Sequence, residues 1–178
     1  MNKIIYITYY DSILGKLTIA SDGENIIGLW IEGQKYFADT IKNENIIKKD
    51  DISIFIKTKE WLDRYFRGER PDIKELKLSP KGSEFRQNVW KILCRIPYGQ
   101  TITYGKIAKE IAKLMNKNSM SAQAIGNAVG HNPISIIIPC HRVVGTNGGL
   151  TGYAGGIDKK RELLELENAD VKDILWVN

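Results

Sequence analysis

The chain has 178 residues, 43% of them hydrophobic and 26% charged, an ordinary globular composition with length for one good core or two small ones. No apolar run approaches the ~20 residues that would span a bilayer, and the opening "MNKIIYITYY" lacks the features of a secretory signal, so a cytoplasmic protein with reduced thiols and no membrane partner is expected. The net charge of +5 is uneven: residues 1–80 balance at 13 basic and 13 acidic, residues 81–149 hold nine against two, and residues 150–178 hold four against six, which marks the middle third as a candidate surface for a polyanion.

In chain order, "KIIYITYY" and "GKLTIAS" are rich in β-branched and aromatic residues and read as strands. "SDGEN" supplies an Asp-Gly turn before a third strand, "IIGLWIE". A polar stretch follows. In "DISIFIKTKEWLDRYFRG" the residues Ile52, Phe55, Ile56, Lys59, Leu62 and Phe66 recur at helical spacing, with Gly68 as the stop. "GERPDIKELKLSPKGS" has two prolines and no helical stripe, so the domain boundary is placed near residue 80.

The second half reads as mostly helical. "SEFRQNVWKILCRI" takes Ser83 as N-cap and presents Phe85, Val89, Leu93 and Ile96 on one stripe. "PYGQT" breaks it. "TYGKIAKEIAKLM" forms a second helix with Ile107, Ile111 and Leu114 facing inward, and a third starts near Ser119 or Ser121 and stops at "HNP". The pair suggests a helix-turn-helix. The third helix, 121–130, is built almost wholly from small and apolar residues, with Gln123 and Asn127 as its polar readers. That suits a groove read by shape better than a base-reading helix. "ISIIIPCHRVV" is apolar and extended, "GTNGGLTGYAGG" must be a loop, and "IDKKRELLELE" returns to a helix.

The chemistry concentrates at Cys140. The chain has two cysteines and two histidines with no metal-ligand spacing, so neither a structural zinc nor a disulfide is expected. Cys94 lies on its helix stripe and reads as core. Cys140 has a histidine beside it, a positive surrounding that favours thiolate, and a glycine-rich loop downstream. Such a histidine needs a third group to orient it. Glu162, Glu165 and Glu167 are the nearby acids, and periodicity does not choose among them.

"IPCHRVV", "GGLTGYAGG" and "KKRELLELE", with "FRQNVWKILCRIPYGQTITYGKIA" and "AIGNAVGHNP" upstream, resemble the methylated-DNA–protein-cysteine alkyltransferases. The likeness runs continuously over residues 83–168. It implies an α/β fold: a small ribonuclease H-like domain over 1–80, then a mainly helical, winged-helix-like DNA-binding domain with a helix-turn-helix over 81–178. By resemblance Cys140 accepts an alkyl group from guanine O6, irreversibly and once. His141 is the general base through a water, Glu167 holds it, Asn132 supports the network, and Tyr104 turns the base and assists the leaving guanine. Val143, Thr146, Tyr153, Ala154 and Gly155 bind the base. Ser121, Gln123, Ala124, Gly126, Asn127 and Arg142 meet DNA. The partner implied is double-stranded DNA carrying alkylated guanine, met by a monomer with no cofactor and no metal. The chain departs from the family pattern at Gln123, where an arginine often fills the gap left by the flipped base, and its helix-turn-helix connection is longer than in some members. Two other functions predict different residues. A lesion binder that flags damage lacks the reactive cysteine, and a transcription regulator carries base-reading side chains on its third helix.

Overall fold

The computed structural model describes residues 2–169, so the last stretch of the 81–178 span lies outside the described residues. The protein is mixed α/β, and backbone packing divides it into two units: Met1–Lys81 with Pro133–Ile137, and Gly82–Asn132 with Ile138–Asn178. The main division falls at Lys81/Gly82, and the short segment 133–137 returns to the first unit. The segment 133–137 joins the first unit because Leu29 N–H donates to the Pro133 carbonyl and Ser135 N–H to the Leu29 carbonyl, each at 2.9 Å.

In the first unit, β1 (Ile4–Ser12), β2 (Gly15–Ser21), β3 (Ile26–Ile31) and β4 (Asn45–Lys48) form one sheet in the order β3-β2-β1-β4. The first three are antiparallel neighbours and β4 runs parallel to β1. The "SDGEN" turn closes as its residues dictate: the Asp22 carboxylate accepts from Glu24 N–H and Asn25 N–H at 3.0 and 2.8 Å. The strand β4 is absent from the sequence reading. Its four residues are all exposed, and its pairing is set by β1, through Asn45 N–H to the Lys3 carbonyl and Lys49 N–H to the Ile7 carbonyl.

The helix α1 spans Ser53–Phe66 and packs on β2. Its buried stripe is Ile54, Phe55, Thr58, Trp61, Leu62 and Tyr65, rotated from the expected one, and Ile56 faces solvent. Polar handles explain the rotation. Thr58 donates to the Ile54 carbonyl at 2.7 Å and the Trp61 indole to the Asp72 carbonyl at 2.9 Å, so both can be buried with their hydrogen bonds made. The stop at Gly68 holds. With φ +79 its N–H donates to the Tyr65 carbonyl and Glu69 N–H to the Arg64 carbonyl, the paired bonds of a Schellman cap.

The second unit carries α2 (Glu84–Leu93), α3 (Tyr104–Leu114), α4 (Ala122–Gly130) and α5 (Ile157–Leu166), with short strands β5 (Ile102–Thr103) and β6 (Val143–Val144) paired in parallel. Ser83, Thr103 and Ser121 each cap a helix by accepting a backbone N–H from three residues on. The helices α2, α3 and α4 pack on one another, and the Trp90 indole donates to the Ala128 carbonyl at 2.9 Å inside that core. Ile107 and Ile111 are buried as expected, but Leu114 is 61% exposed. Ala108 and Ala112 fill the inner face instead, so the helix approaches its neighbours on small side chains. Cys94 is half-buried at the end of α2 rather than in the core, where burial pushes its thiol up to about 11. The run 134–144 is not extended: it turns repeatedly and includes a single 3-10 turn at Cys140–Arg142 before β6. No helix among the described residues is long and apolar enough to cross a membrane.

Candidate active site

Three segments of the second unit converge on Cys140. The first is the turn ending α4. Asn132 is buried and spends both hydrogens of its amide, one on the Ile138 carbonyl at 2.8 Å and one on Cys140 Sγ at 3.2 Å. The second is the 3-10 turn itself, Cys140–Arg142, which buries His141 and Arg142 next to Cys140 in sequence. The third is the end of α5, which brings Glu167 to His141 Nε2 at 2.7 Å. Glu162 and Glu165 stay exposed, which closes the choice that periodicity left open.

Glu167 is held from four directions. Besides His141 it accepts from Arg142 Nε and Nη2, both at 2.8 Å, and from Gly99 N–H at 3.1 Å. Gly99 is required there. Its φ is +76, and a Cβ would lie 2.9 Å from the Glu167 carbonyl oxygen. Burial alone would raise the Glu167 carboxyl; the hydrogen bonds from His141 and Arg142, with the Arg142 charge, outweigh it and hold the group well below the usual carboxylate range. His141 moves the other way: burial lowers it, and Glu167 restores only part of the loss. The imidazole is therefore neutral at physiological pH and oriented by a fixed anion, the state a general base needs.

Arg142 does not sit on a nucleic-acid face. It is 9% exposed, bound to Glu167 and to the Ile96 carbonyl at 2.6 Å, and stacked 5.7 Å from the Tyr98 ring. A guanidinium so committed is a structural cation, and the expectation that it meets DNA is corrected by its burial.

Cys140 is 4% exposed. Burial pushes its thiol up, and the Asn132 amide, the Lys160 charge and the backbone N–H groups of Cys140 and His141 pull it down by less. The expected lowering by a positive surrounding is thus reversed in the folded protein. The basic side chains of the middle third are spread over the surface, whereas desolvation acts on the sulfur itself.

Lys160 is the functional-site residue that the sequence reading missed. It is fully buried on α5 and donates to the Val143 carbonyl and, at 3.0 Å, to the Thr151 carbonyl. Desolvation lowers it to about 8, opposed by Cys140. Tyr104, the first residue of α3, donates to the same Thr151 carbonyl at 3.0 Å, and burial with the nearby Cys140 raises its phenol to about 12. These two side chains clamp the loop that carries Thr146, Tyr153, Ala154 and Gly155. The Tyr153 hydroxyl is buried with no hydrogen-bond partner among the described residues, which is an unfavourable state for a polar atom unless something else supplies the bond. Val143 is buried on β6.

The α4 residues lie elsewhere. Gln123 and Asn127 are exposed, Ala124 and Gly126 half-buried, and Ser121 is the exposed N-cap. A Cβ added at Gly126 or Gly130 would meet nothing within 4 Å. Internal packing therefore does not explain those glycines. Arg86 of α2 reaches Asn127 Oδ1 at 3.4 Å and adds a cation to this face that the sequence reading did not single out.

Residues 5–80 match the family model described as 6-O-methylguanine DNA methyltransferase, ribonuclease-like domain, and residues 84–169 match the model for the DNA binding domain of the same family. The chain is a 6-O-methylguanine DNA methyltransferase by family. Other members agree. The methylated-DNA–protein-cysteine methyltransferase of Haemophilus influenzae is 42% identical over 92% of this chain and 86% of its own. That of Methanosarcina acetivorans is 40% identical over 93% and 99%. Among solved structures, the O6-methylguanine methyltransferase of Mycobacterium tuberculosis is 40% identical with a TM-score of 0.75, covering 92% of this chain and 93% of that one. Mycobacterium tuberculosis OGT in complex with DNA is 37% identical with a TM-score of 0.74, covering 96% and 98%. The family is one of enzymes, and the fold read from sequence, a ribonuclease-like α/β part followed by a helical DNA-binding part, is the family's.

Proposed function

We propose that this chain repairs DNA by moving an alkyl group from guanine O6 to the sulfur of Cys140, once per molecule. The observations that carry this reading are two hydrogen bonds at neighbouring residues of one unit, Asn132 to Cys140 Sγ and His141 to Glu167, which supply a nucleophile, a base and an orienting anion. His141 takes the thiol proton through a water. The thiolate attacks the alkyl carbon, the S–C bond forms as the C–O6 bond breaks, and Tyr104 donates a hydrogen bond or proton to the departing guanine. The product thioether has no leaving group for water to displace, so the protein is spent.

With so little of Cys140 exposed, the reacting carbon must be delivered into the protein, which a base stacked in a duplex cannot do. The base is therefore extruded into the space under the 145–156 loop. There Val143, Thr146, Ala154 and Gly155 meet its edge, and Tyr153 spends its orphan hydroxyl on it. Ser121, Gln123, Ala124, Gly126 and Asn127 meet the minor groove of double-stranded DNA, with Gln123 in the gap left by the base. The chain acts as a cytoplasmic monomer, with a ribonuclease H-like part over 1–80 and the DNA-binding and transfer residues in 81–178.

The test is a mass measurement. Incubated with a duplex holding O6-methylguanine, the protein gains one methyl and Cys140→Ala gains none. A chain that binds the duplex without gaining mass is a lesion binder, and a gain that survives Cys140→Ala refutes the role of Cys140.

A further inference from the structure

The segment between the end of α4 and Cys140 is gripped in an unusual way. Ser135 has all three of its polar groups engaged: its N–H on the Leu29 carbonyl at 2.9 Å, its carbonyl by Ile137 N–H at 2.8 Å, and its hydroxyl on Gln34 Oε1 at 3.1 Å. Gln34 is 6% exposed, and its Oε1 also accepts Ile31 N–H at 2.7 Å. The residue so bracketed, Ile136, has φ +70. A β-branched side chain almost never adopts that conformation. With the Ser135–Ile137 bond it forms the strained hand of a γ-turn. A backbone of this kind persists only where its surroundings over-determine it, and such places cluster at functional sites.

Two residues further on, the Ile138 carbonyl accepts from Asn132 Nδ2 at 2.8 Å and from Cys140 N–H at 2.8 Å. The second bond closes an inverse γ-turn about Pro139, whose φ and ψ are −82 and 64. The direction of that one carbonyl therefore fixes both the start of the 3-10 turn and the amide that holds the sulfur. It is set in turn by the Ile136 turn just before it.

We propose that Gln34 is a positioning residue for Cys140, acting through Ser135, the strained Ile136 turn, the Ile138 carbonyl and Asn132. The inference rests on the transfer reading above. Without the Gln34–Ser135 bond, Ile136 relaxes out of the left-handed region, the Ile138 carbonyl turns, and Asn132 leaves the sulfur. Gln34 touches neither DNA nor the reacting atoms in this scheme.

The experiment compares Gln34→Leu, Ser135→Ala, the double variant and Gln34→Glu as full chains in single-turnover methyl transfer across a pH series, alongside duplex affinity and melting temperature. Misplacing a reacting group by about 1 Å slows a reaction by roughly 100-fold, so each of Gln34→Leu and Ser135→Ala slows transfer by about 10- to 100-fold. The double variant is no slower than the slower single, because both break one link. The midpoint of the pH–rate profile moves upward as the sulfur loses its amide donor, and duplex affinity stays within about twofold. Gln34→Glu keeps an acceptor for both donors and restores most of the rate. Should Gln34→Leu fail to fold, Ser135→Ala removes a single oxygen and carries the same test. A lowered melting temperature with rate and pH midpoint unchanged overturns the proposal, as does an equal loss of affinity and rate. A wild-type chain that gains no methyl overturns the transfer reading itself, whereas a wild-type gain with unaffected variants overturns only the role of Gln34.

Discussion

Replacing Glu167 by glutamine removes one negative charge and leaves the shape nearly unchanged. The carboxylate accepts from four donors, two on each oxygen: His141 Nε2 and Arg142 Nη2 on one, Arg142 Nε and Gly99 N–H on the other. An amide has one acceptor oxygen, so either orientation strands two buried donors and turns an NH2 group towards them. Stranded donors cost about 1–3 kcal/mol each, and removing one partner of a buried ion pair costs about 3–5 kcal/mol. These describe the same loss from two sides, so Glu167→Gln is expected to destabilise the protein by about 3–5 kcal/mol, a large share of the roughly 5–15 kcal/mol available to a domain. Urea unfolding at pH 7 measures it. The pH dependence has a definite sign. The folded carboxyl titrates below its unfolded value of about 4.3, so its stabilisation is complete above that value and fades as pH falls towards the folded one. The gap between wild type and variant should narrow by up to about 1.4 kcal/mol per pH unit below about pH 4. Methyl transfer should fall by about 100-fold or more, since His141 loses its orienting anion, while duplex affinity holds. A gap under about 1 kcal/mol at pH 7, or one of equal size at pH 7 and pH 3, refutes the account of this network.

Two further outcomes follow from the site and the α4 face. The transfer rate of wild type should climb with pH as the buried thiol ionises, then bend over above about 8 as Lys160 loses its proton and its pull on the sulfur; Lys160→Met should be slower throughout and lack the bend, and a bend that persists rules Lys160 out as its source. Gly126→Ala should raise stability by about 0.5–1 kcal/mol in urea unfolding, because the position is helical and the added methyl meets nothing, whereas Gly126→Leu should keep the fold and weaken duplex binding; unchanged binding would show that this face of α4 does not meet DNA.

The sequence carried much of the second unit because its signals are local. Ser83 and Ser121 announce their helices by chemistry that acts within three residues, and Gly68 ends α1 for the same reason. Cys140, His141 and Glu167 were legible through the family resemblance, while spacing alone left three glutamates open. What stayed hidden depends on burial. Arg142 looks like a surface cation until Glu167 and the Ile96 carbonyl enclose it. Lys160 looks like one of three basic residues at the start of a helix, and nothing nearby says that it alone is buried. The fall of Leu114 to the outside and the rise of the Cys140 thiol have the same origin: periodicity reports which face is apolar, and it does not report how deep that face lies. The strand β4 is too short to show alternation and exists because β1 offers it an edge.

Glu167 stands 26 residues beyond His141 and 68 beyond Gly99, both of which it must meet. During synthesis the cysteine therefore leaves the ribosome well before the anion that makes its neighbour a base. A nascent or half-folded chain carries the sulfur beside a histidine that no anion yet orients, so the geometry for transfer is missing. Competence arrives late and all at once, when α5 closes onto the Gly99 turn.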